Sequence, residues 1–126
     1  MRILVCGGAG FIGSTFVRQR VLEHGDEVLV LDKLTYAGRR ENLEDLEGHP
    51  GFGGLVAGGI EDGELVGATA REGFEGAGAE AIVNFAAETH VDRSISEPDA
   101  FVMTNLVGTY RLLEATRELG LPYVHV

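Results

Sequence analysis

Lysine is almost missing from this chain. Lys33 is the single lysine among ten basic residues, so chemistry that needs a second lysine lies outside these 126 residues. Cysteine is equally scarce: Cys6 stands alone and cannot form an internal disulfide, a usage that suits a reducing compartment. Basic residues number 10 against 20 acidic ones, for a formal net charge of -10. Phosphate backbones and anionic membranes reward Lys and Arg, so this balance argues against nucleic-acid or membrane-surface binding. No apolar run approaches the roughly 18 residues of a membrane span, and no charged leader precedes an apolar stretch. The expectation is a soluble, cytoplasmic protein. Tryptophan is absent, yet 44% of the residues are hydrophobic, enough to fill one core and to argue against wholesale disorder. The length suits one domain and is too short for two.

The apolar pattern alternates between two periods. Arg2 to Cys6 (RILVC) and Glu27 to Asp32 (EVLVLD) are short runs rich in Val, Leu and Ile, the mark of strands buried on both faces. Between them, Phe11, Ile12, Phe16, Val17, Val21 and Leu22 recur at helical spacing over Phe11 to His24, with Gly25 as the stop. A short polar helix is expected through RRENLEDL. Eleven of the 19 glycines fall within residues 48–78, which weakens any assignment there. The reading places a weak strand at Phe52 to Val56 and a helix near Glu64 to Glu72. Glu80 to Phe85 is another buried strand, and Asp92 to Ser96 a loop. Pro98 to Leu119 is the strongest helix, with Ser96 and Asp99 at capping-box spacing, Pro98 in the first turn, and Gly120 and Pro122 ending it. Tyr123 to Val126 begins a fifth strand. Strand and helix in this alternation give an α/β fold of the Rossmann type: a doubly wound parallel sheet, incomplete at about five strands, with helices on both faces.

The first strand runs into Cys6-Gly7-Gly8-Ala9-Gly10-Phe11-Ile12-Gly13. The spacing Gly7-x-x-Gly10-x-x-Gly13 supplies a tight turn with positive φ, a backbone bare enough to approach a pyrophosphate, and close helix–strand packing. The helix that follows turns its free N–H groups and partial positive charge toward the phosphates. Nineteen residues after Gly13 the second strand ends in Asp32. An acid there accepts hydrogen bonds from the adenosine ribose and repels a 2′-phosphate, which favours NAD over NADP. Lys33, Arg39 and Arg40 nearby are read as solvated loop charges, although basic residues there would also suit a phosphate.

CGGAGFIGS, the loop DKLTYAG (32–38), NFAAETHVDRSI (84–95) and TNLVGTYRLLEATR (104–117) together resemble the extended short-chain dehydrogenase/reductases. Within them the pair DKLTYAG and AAETHVDRSI is similar to the dTDP-glucose 4,6-dehydratase family, over nearly the whole chain. That resemblance implies NAD held by Gly7, Gly10, Phe11, Ile12 and Gly13 at the pyrophosphate. Asp32, Lys33, Leu34, Thr35 and Gly38 then surround the ribose, Gly59 and Ile60 meet the adenine, and Phe85, Ala86, Ala87 and Thr104 lie toward the nicotinamide. It also implies Thr89, His90 and Arg93 beside a sugar nucleotide such as dTDP-glucose, with Asp92 in the same segment; pinning of the loop is an equal reading for His90, Asp92 and Arg93. Three positions depart from the family's pattern. Cys6 replaces a threonine and is read as a small buried residue, and Thr89 replaces a serine. At Gly58-Gly59-Ile60-Glu61-Asp62, Gly59 stands where the family carries an aspartate that reaches the adenine amino group. Backbone contacts at Ile60, a shift of Glu61 or Asp62 into the gap, or weaker cofactor binding all remain open.

The reaction so implied is an internal redox elimination: hydride leaves C4 of the glucosyl ring, a proton leaves C5, water departs with the C6 oxygen, and hydride returns to C6. The family's proton chemistry uses a Tyr-x-x-x-Lys pair and a Thr-Asp-Glu run, and neither occurs here. Tyr36 and Tyr110 have Arg40 and Glu114 four residues on, and Lys33 has Leu29 four before it. No catalytic or metal-ligating set is assigned within the 126 residues. They read as the N-terminal part of an NAD-binding domain, without the catalytic and substrate portion and inactive alone. A UDP-sugar 4-epimerase of the same superfamily and a non-catalytic NAD-binding module remain alternatives. On a helical wheel the apolar residues of 98–119 cover about 240°, far beyond the roughly 100° that packing on one sheet uses, so a homodimer through this helix is expected.

Overall fold

The computed structural model describes residues 1–35, 37–88 and 95–126. Five parallel strands form one sheet: β1 (Arg2–Cys6), β2 (Glu27–Asp32), β3 (Phe52–Ala57), β4 (Ala81–Asn84) and β5 (Tyr123–His125), in the order β3-β2-β1-β4-β5. The chain starts in the middle, winds outward through β2 and β3, then crosses back to β4 on the other side of β1. Cys6 therefore pairs with Leu31 on one flank and with Asn84 on the other.

Continuous apolar strands are what a sheet covered on both faces demands, and successive residues divide between the two cores. Leu4, Cys6, Leu29, Leu31 and Ile82 face helix α2 (Gly63–Glu72) and the later helix, meeting Val66, Ala70, Leu112 and Ala115. Ile3, Val5, Val28, Val30 and Val83 face helix α1 (Phe11–Leu22) and the 3₁₀ segment Arg40–Leu46, meeting Val17, Val21, Leu43 and Leu46. Cys6 is fully buried, and burial, helped by the neighbouring Asp32, pushes its thiol up to about 12. It is a packing residue, in keeping with its sequence context.

Several element boundaries depart from the sequence pattern. α1 stops at Leu22 rather than His24, with the chain reversing through Gly25 at φ +69°. The polar helix is 3₁₀, which seven residues carrying only Leu43 and Leu46 as buried anchors accommodate. β4 is trimmed to four residues where Asn84 begins the turn into the following loop. The long helix is not uniformly α. A turn α3 (Pro98–Phe101) leads into a π-helical stretch, Val102–Gly108, and then α4 (Thr109–Leu119). Its N-cap falls at Glu97 rather than at Ser96, with Pro98 in the first turn and no capping hydrogen bond from the Glu97 side chain. Gly120 closes α4 in the left-handed region at φ +65°. The π stretch brings Gly108 against Ile60, where a Cβ would collide with the isoleucine side chain. No helix among the described residues is long and apolar enough to cross a membrane.

One buried carboxylate secures the entry to the sheet. Asp26, just before β2, pairs with the Met1 ammonium at 2.9 Å and with Arg20 of α1. Burial opposes its ionised form, but the hydrogen bonds from the chain terminus and Arg20 outweigh this and hold the carboxyl below its usual range. Because the folded-state value lies below the unfolded one of about 3.9, this contribution is complete above that pH and is lost as pH falls through the folded value. Asp26→Asn is expected to lower the denaturation midpoint at pH 7 and to narrow its gap from the parent as the pH drops below about 4. Urea titrations across that range check this.

Candidate functional site

The strand order reverses between β1 and β4, and the segments leaving their carboxyl ends part on opposite sides of the sheet. In open α/β sheets this is where a crevice forms. A cleft lies there, walled by the glycine loop, the β2 end, the β3–α2 turn and the segment after β4.

The glycine loop is shaped by contacts that a side chain would obstruct. Gly7 turns at φ +75°, and a Cβ on it would stand 2.5 Å from the Ala86 amide nitrogen. A Cβ on Gly13 would collide with the Gly7 carbonyl oxygen, so the first turn of α1 sits directly on the loop. Gly10, the N-cap of α1, is open by contrast; a Cβ there would meet only the Gly7 carbonyl oxygen at 3.5 Å. No side chain among the described residues caps α1 and its first turn holds no acid. α2 differs, since Asp62 accepts the Leu65 N–H at 3.2 Å and Glu64 occupies its first turn. The N–H groups of Phe11, Ile12 and Gly13 precede any intrahelical acceptor, leaving α1 as a bare positive terminus of the kind that takes phosphate.

Asp32 is 8% exposed and held from two sides. Its Oδ2 accepts the Ala9 N–H at 2.9 Å, and its Oδ1 accepts the Leu34 N–H at 2.8 Å. Leu34 reaches this position with φ +59°, a strained conformation for a branched side chain. Gly38 lies over the carboxylate, where a Cβ would collide. Lys33 pairs with Glu61 at 2.6 Å and lines the cleft, while its side chain stays 44% exposed to solvent. Neither Arg39 nor Arg40 contributes to the wall.

The cleft gathers most of the predicted cofactor positions: Gly7 and Gly10 from the loop, Asp32, Lys33, Thr35 and Gly38 from the β2 end, Gly59 and Ile60 from the β3 end, and Phe85, Ala86 and Ala87 after β4. Phe11 and Ile12 stand outside it, 86% and 64% exposed at the helix mouth. Gly13, Leu34 and Thr104 lie behind or beside the wall; Thr104 is buried with its hydroxyl unpartnered. Thr89, His90 and Arg93, with Asp92, lie outside the described residues.

Three asparagines that carried no assigned role brace this wall. Asn42 donates to the Ala9 carbonyl at 2.8 Å, and Asn84 accepts the Ala86 N–H at 2.8 Å. Asn105, in the π stretch, accepts the Glu88 N–H at 2.8 Å and donates to the Glu88 carbonyl at 2.9 Å, tying the post-β4 segment to the long helix. Only their place inside matching segments marked the last two; Asn42 had no signal beyond being an amide in a polar turn.

These parts fit a dinucleotide: an uncapped helix end and an open glycine for the pyrophosphate, and a fixed acid for ribose hydroxyls. The chain is 49% identical over 127 aligned positions to a dTDP-glucose 4,6-dehydratase of Mycobacterium tuberculosis, covering 100% of this chain and 36% of the relative. It therefore spans about a third of the length of the curated relatives it matches. Among solved structures, DesIV, a dTDP-glucose 4,6-dehydratase from Streptomyces venezuelae with NAD and TYD bound, superposes with a TM-score of 0.85 at 47% identity, over 96% of this chain and 37% of that one. A Thermus thermophilus UDP-glucose 4-epimerase in complex with NAD superposes with a TM-score of 0.77 at 38% identity, over 96% and 35% respectively. The family model described as GDP-mannose 4,6 dehydratase matches residues 4–125, and with that span of agreement behind the glycine loop, Asp32 and the sheet order, the chain belongs to this family.

Proposed function

We propose that these 126 residues are the N-terminal, cofactor-holding part of an NAD-dependent dTDP-glucose 4,6-dehydratase, a lyase converting dTDP-glucose to dTDP-4-keto-6-deoxyglucose and water. The observation that carries the cofactor reading is the convergence of the uncapped α1 terminus and the Asp32 carboxylate in one cleft at the sheet's reversal point. When bound, NAD supplies the hydride acceptor, and in reduced form the donor, for an elimination with no net redox change. This chain's residues bind and orient it. The α1 N–H groups meet the pyrophosphate, Asp32 accepts from the ribose and opposes a 2′-phosphate, and Phe85, Ala86 and Ala87 form the floor toward the nicotinamide. Thr89, His90 and Arg93 belong to the sugar-nucleotide side.

The dehydratase reading rests on the match to proteins of that name; the epimerase structures share the fold at lower identity. The groups that move protons lie outside these residues, which by themselves are inactive. A cytoplasmic setting accords with the lone, buried thiol of Cys6. A homodimer accords with the long helix, which leaves Val102, Met103, Leu106, Tyr110 and Leu113 exposed along its outer side while Leu112 is fully buried on the inner one.

Incubated with dTDP-glucose, the intact protein is expected to form a 4-keto product absorbing in alkali; absence of that product in protein carrying NAD would leave the epimerase or a non-catalytic module. Asp32→Ala is expected to weaken NAD binding about tenfold or more and NADP binding less; equal losses by calorimetry would remove Asp32 as the selector. Leu106, 66% exposed, tests the dimer: Leu106→Glu should shift the intact protein from dimer to monomer in sedimentation without altering its circular dichroism.

A further inference from the structure

A row of side chains across the carboxyl end of the sheet joins β5 to the cleft wall. Asn84 ends β4 fully buried and stands in register with Cys6 on one side and with His125 of β5 on the other. Its Oδ1 accepts the Ala86 N–H at 2.8 Å. A backbone N–H can only donate, so this bond fixes which way round the amide lies and turns its Nδ2 donor toward β5. There Nδ2 stands 3.4 Å from Nδ1 of His125, and the Tyr123 hydroxyl stands 2.9 Å from the same atom. A donor facing Nδ1 needs an acceptor in return, so Nδ1 presents its lone pair and the neutral ring keeps its proton on Nε2. Burial raises the Tyr123 phenol above its ordinary range, against a hydrogen bond with Asn84, so that hydroxyl keeps its proton and donates as well.

What these bonds hold is the approach of the segment after β4 to the glycine loop. A Cβ on Gly7 would stand 2.5 Å from the Ala86 nitrogen, the same nitrogen that donates to Asn84, and Ala86 lines the cleft. A shift of Ala86 therefore moves the floor toward the nicotinamide and the seat of the glycine loop together. Without an acceptor at position 125, the buried amide of Asn84 is left with an unpaired donor. That state is costly, and the amide can relieve it by swinging away from Ala86. We infer that His125 is a positioning residue for the cofactor cleft: its Nδ1 holds Asn84, and through Asn84 it sets the Ala86 backbone against Gly7. The inference rests on the dinucleotide reading above. It adds to that reading a strand, β5, that lends no residue to the cleft wall.

The test compares His125→Leu, which fills the space without an acceptor, with His125→Gln, whose side-chain oxygen can accept in place of Nδ1. Both are made in the intact protein freed of nucleotide. Amide hydrogen exchange of the peptide spanning 84–88 and NAD affinity by calorimetry are the two readouts. In His125→Leu that peptide should exchange faster while the peptides of β1 and β2 keep the parent rates. The same variant should bind NAD up to about tenfold more weakly, the worth of one hydrogen bond. His125→Gln should return both readouts toward the parent. Parent-like exchange or parent-like NAD affinity in His125→Leu overturns the inference, as does a Gln variant that behaves like the Leu one. Faster exchange spread over the whole sheet also overturns it, because that marks a merely structural role. If the parent itself binds no NAD, the dinucleotide reading falls and the inference with it, a result distinct from all of these. Should His125→Leu fail to fold, His125→Ala is read in its place by the same criteria.

Discussion

The backbone of Gly7 lies against the backbone of Phe85 and Ala86, and the functional end of the molecule is arranged around that approach. β1 is buried on both faces and flanked by β2 and β4, so the chain leaving it has one exit, upward between two diverging connections. A side chain at Gly7 would force β4's continuation away and close the cleft from within. With only hydrogen there, the loop stays low, α1 starts directly above it, and the helix end is left bare at the mouth.

Polar bracing then holds an otherwise irregular rim. Ala9, at the centre of the glycine loop, donates to Asp32 and accepts from both Arg39 and Asn42. Asn84 and Asn105 fasten the segment after β4 to the strand end and to the long helix. Buried amides and carboxylates of this kind fix geometry because an unmade partner is costly in a site shielded from water. The π stretch belongs to the same scheme. It carries Asn105 to Glu88 while Gly108 passes against Ile60 at the β3 end, so one helix touches both sides of the cleft. Wider turns of this type recur at functional sites for such re-aiming of side chains.

The five strands, and the helices on both faces, were legible because buried parallel strands and amphipathic helices write distinct periods into the sequence. The glycine loop and Asp32 were legible because their chemistry admits few substitutes. The π segment was not, since a 3.6-residue wheel applied to 98–119 carries no mark of a widened turn. The 3₁₀ character of 40–46 was missed for the same reason: local spacing tells helix from strand, not one helix type from another.

Glu61 shows the division between the two levels. From sequence alone, Gly59 removed a side chain, and three ways of answering that gap were equal. Composition, the glycine spacing and the acid after β2 determined the fold class and the kind of ligand, because those features act through backbone sterics and charge close by in the chain. Tertiary structure alone decided that Asp62 caps a helix while Glu61 turns back over Gly59 to meet Lys33. The partner lies 28 residues away on another strand end, and no local pattern reports a distance that only the folded sheet brings to 2.6 Å.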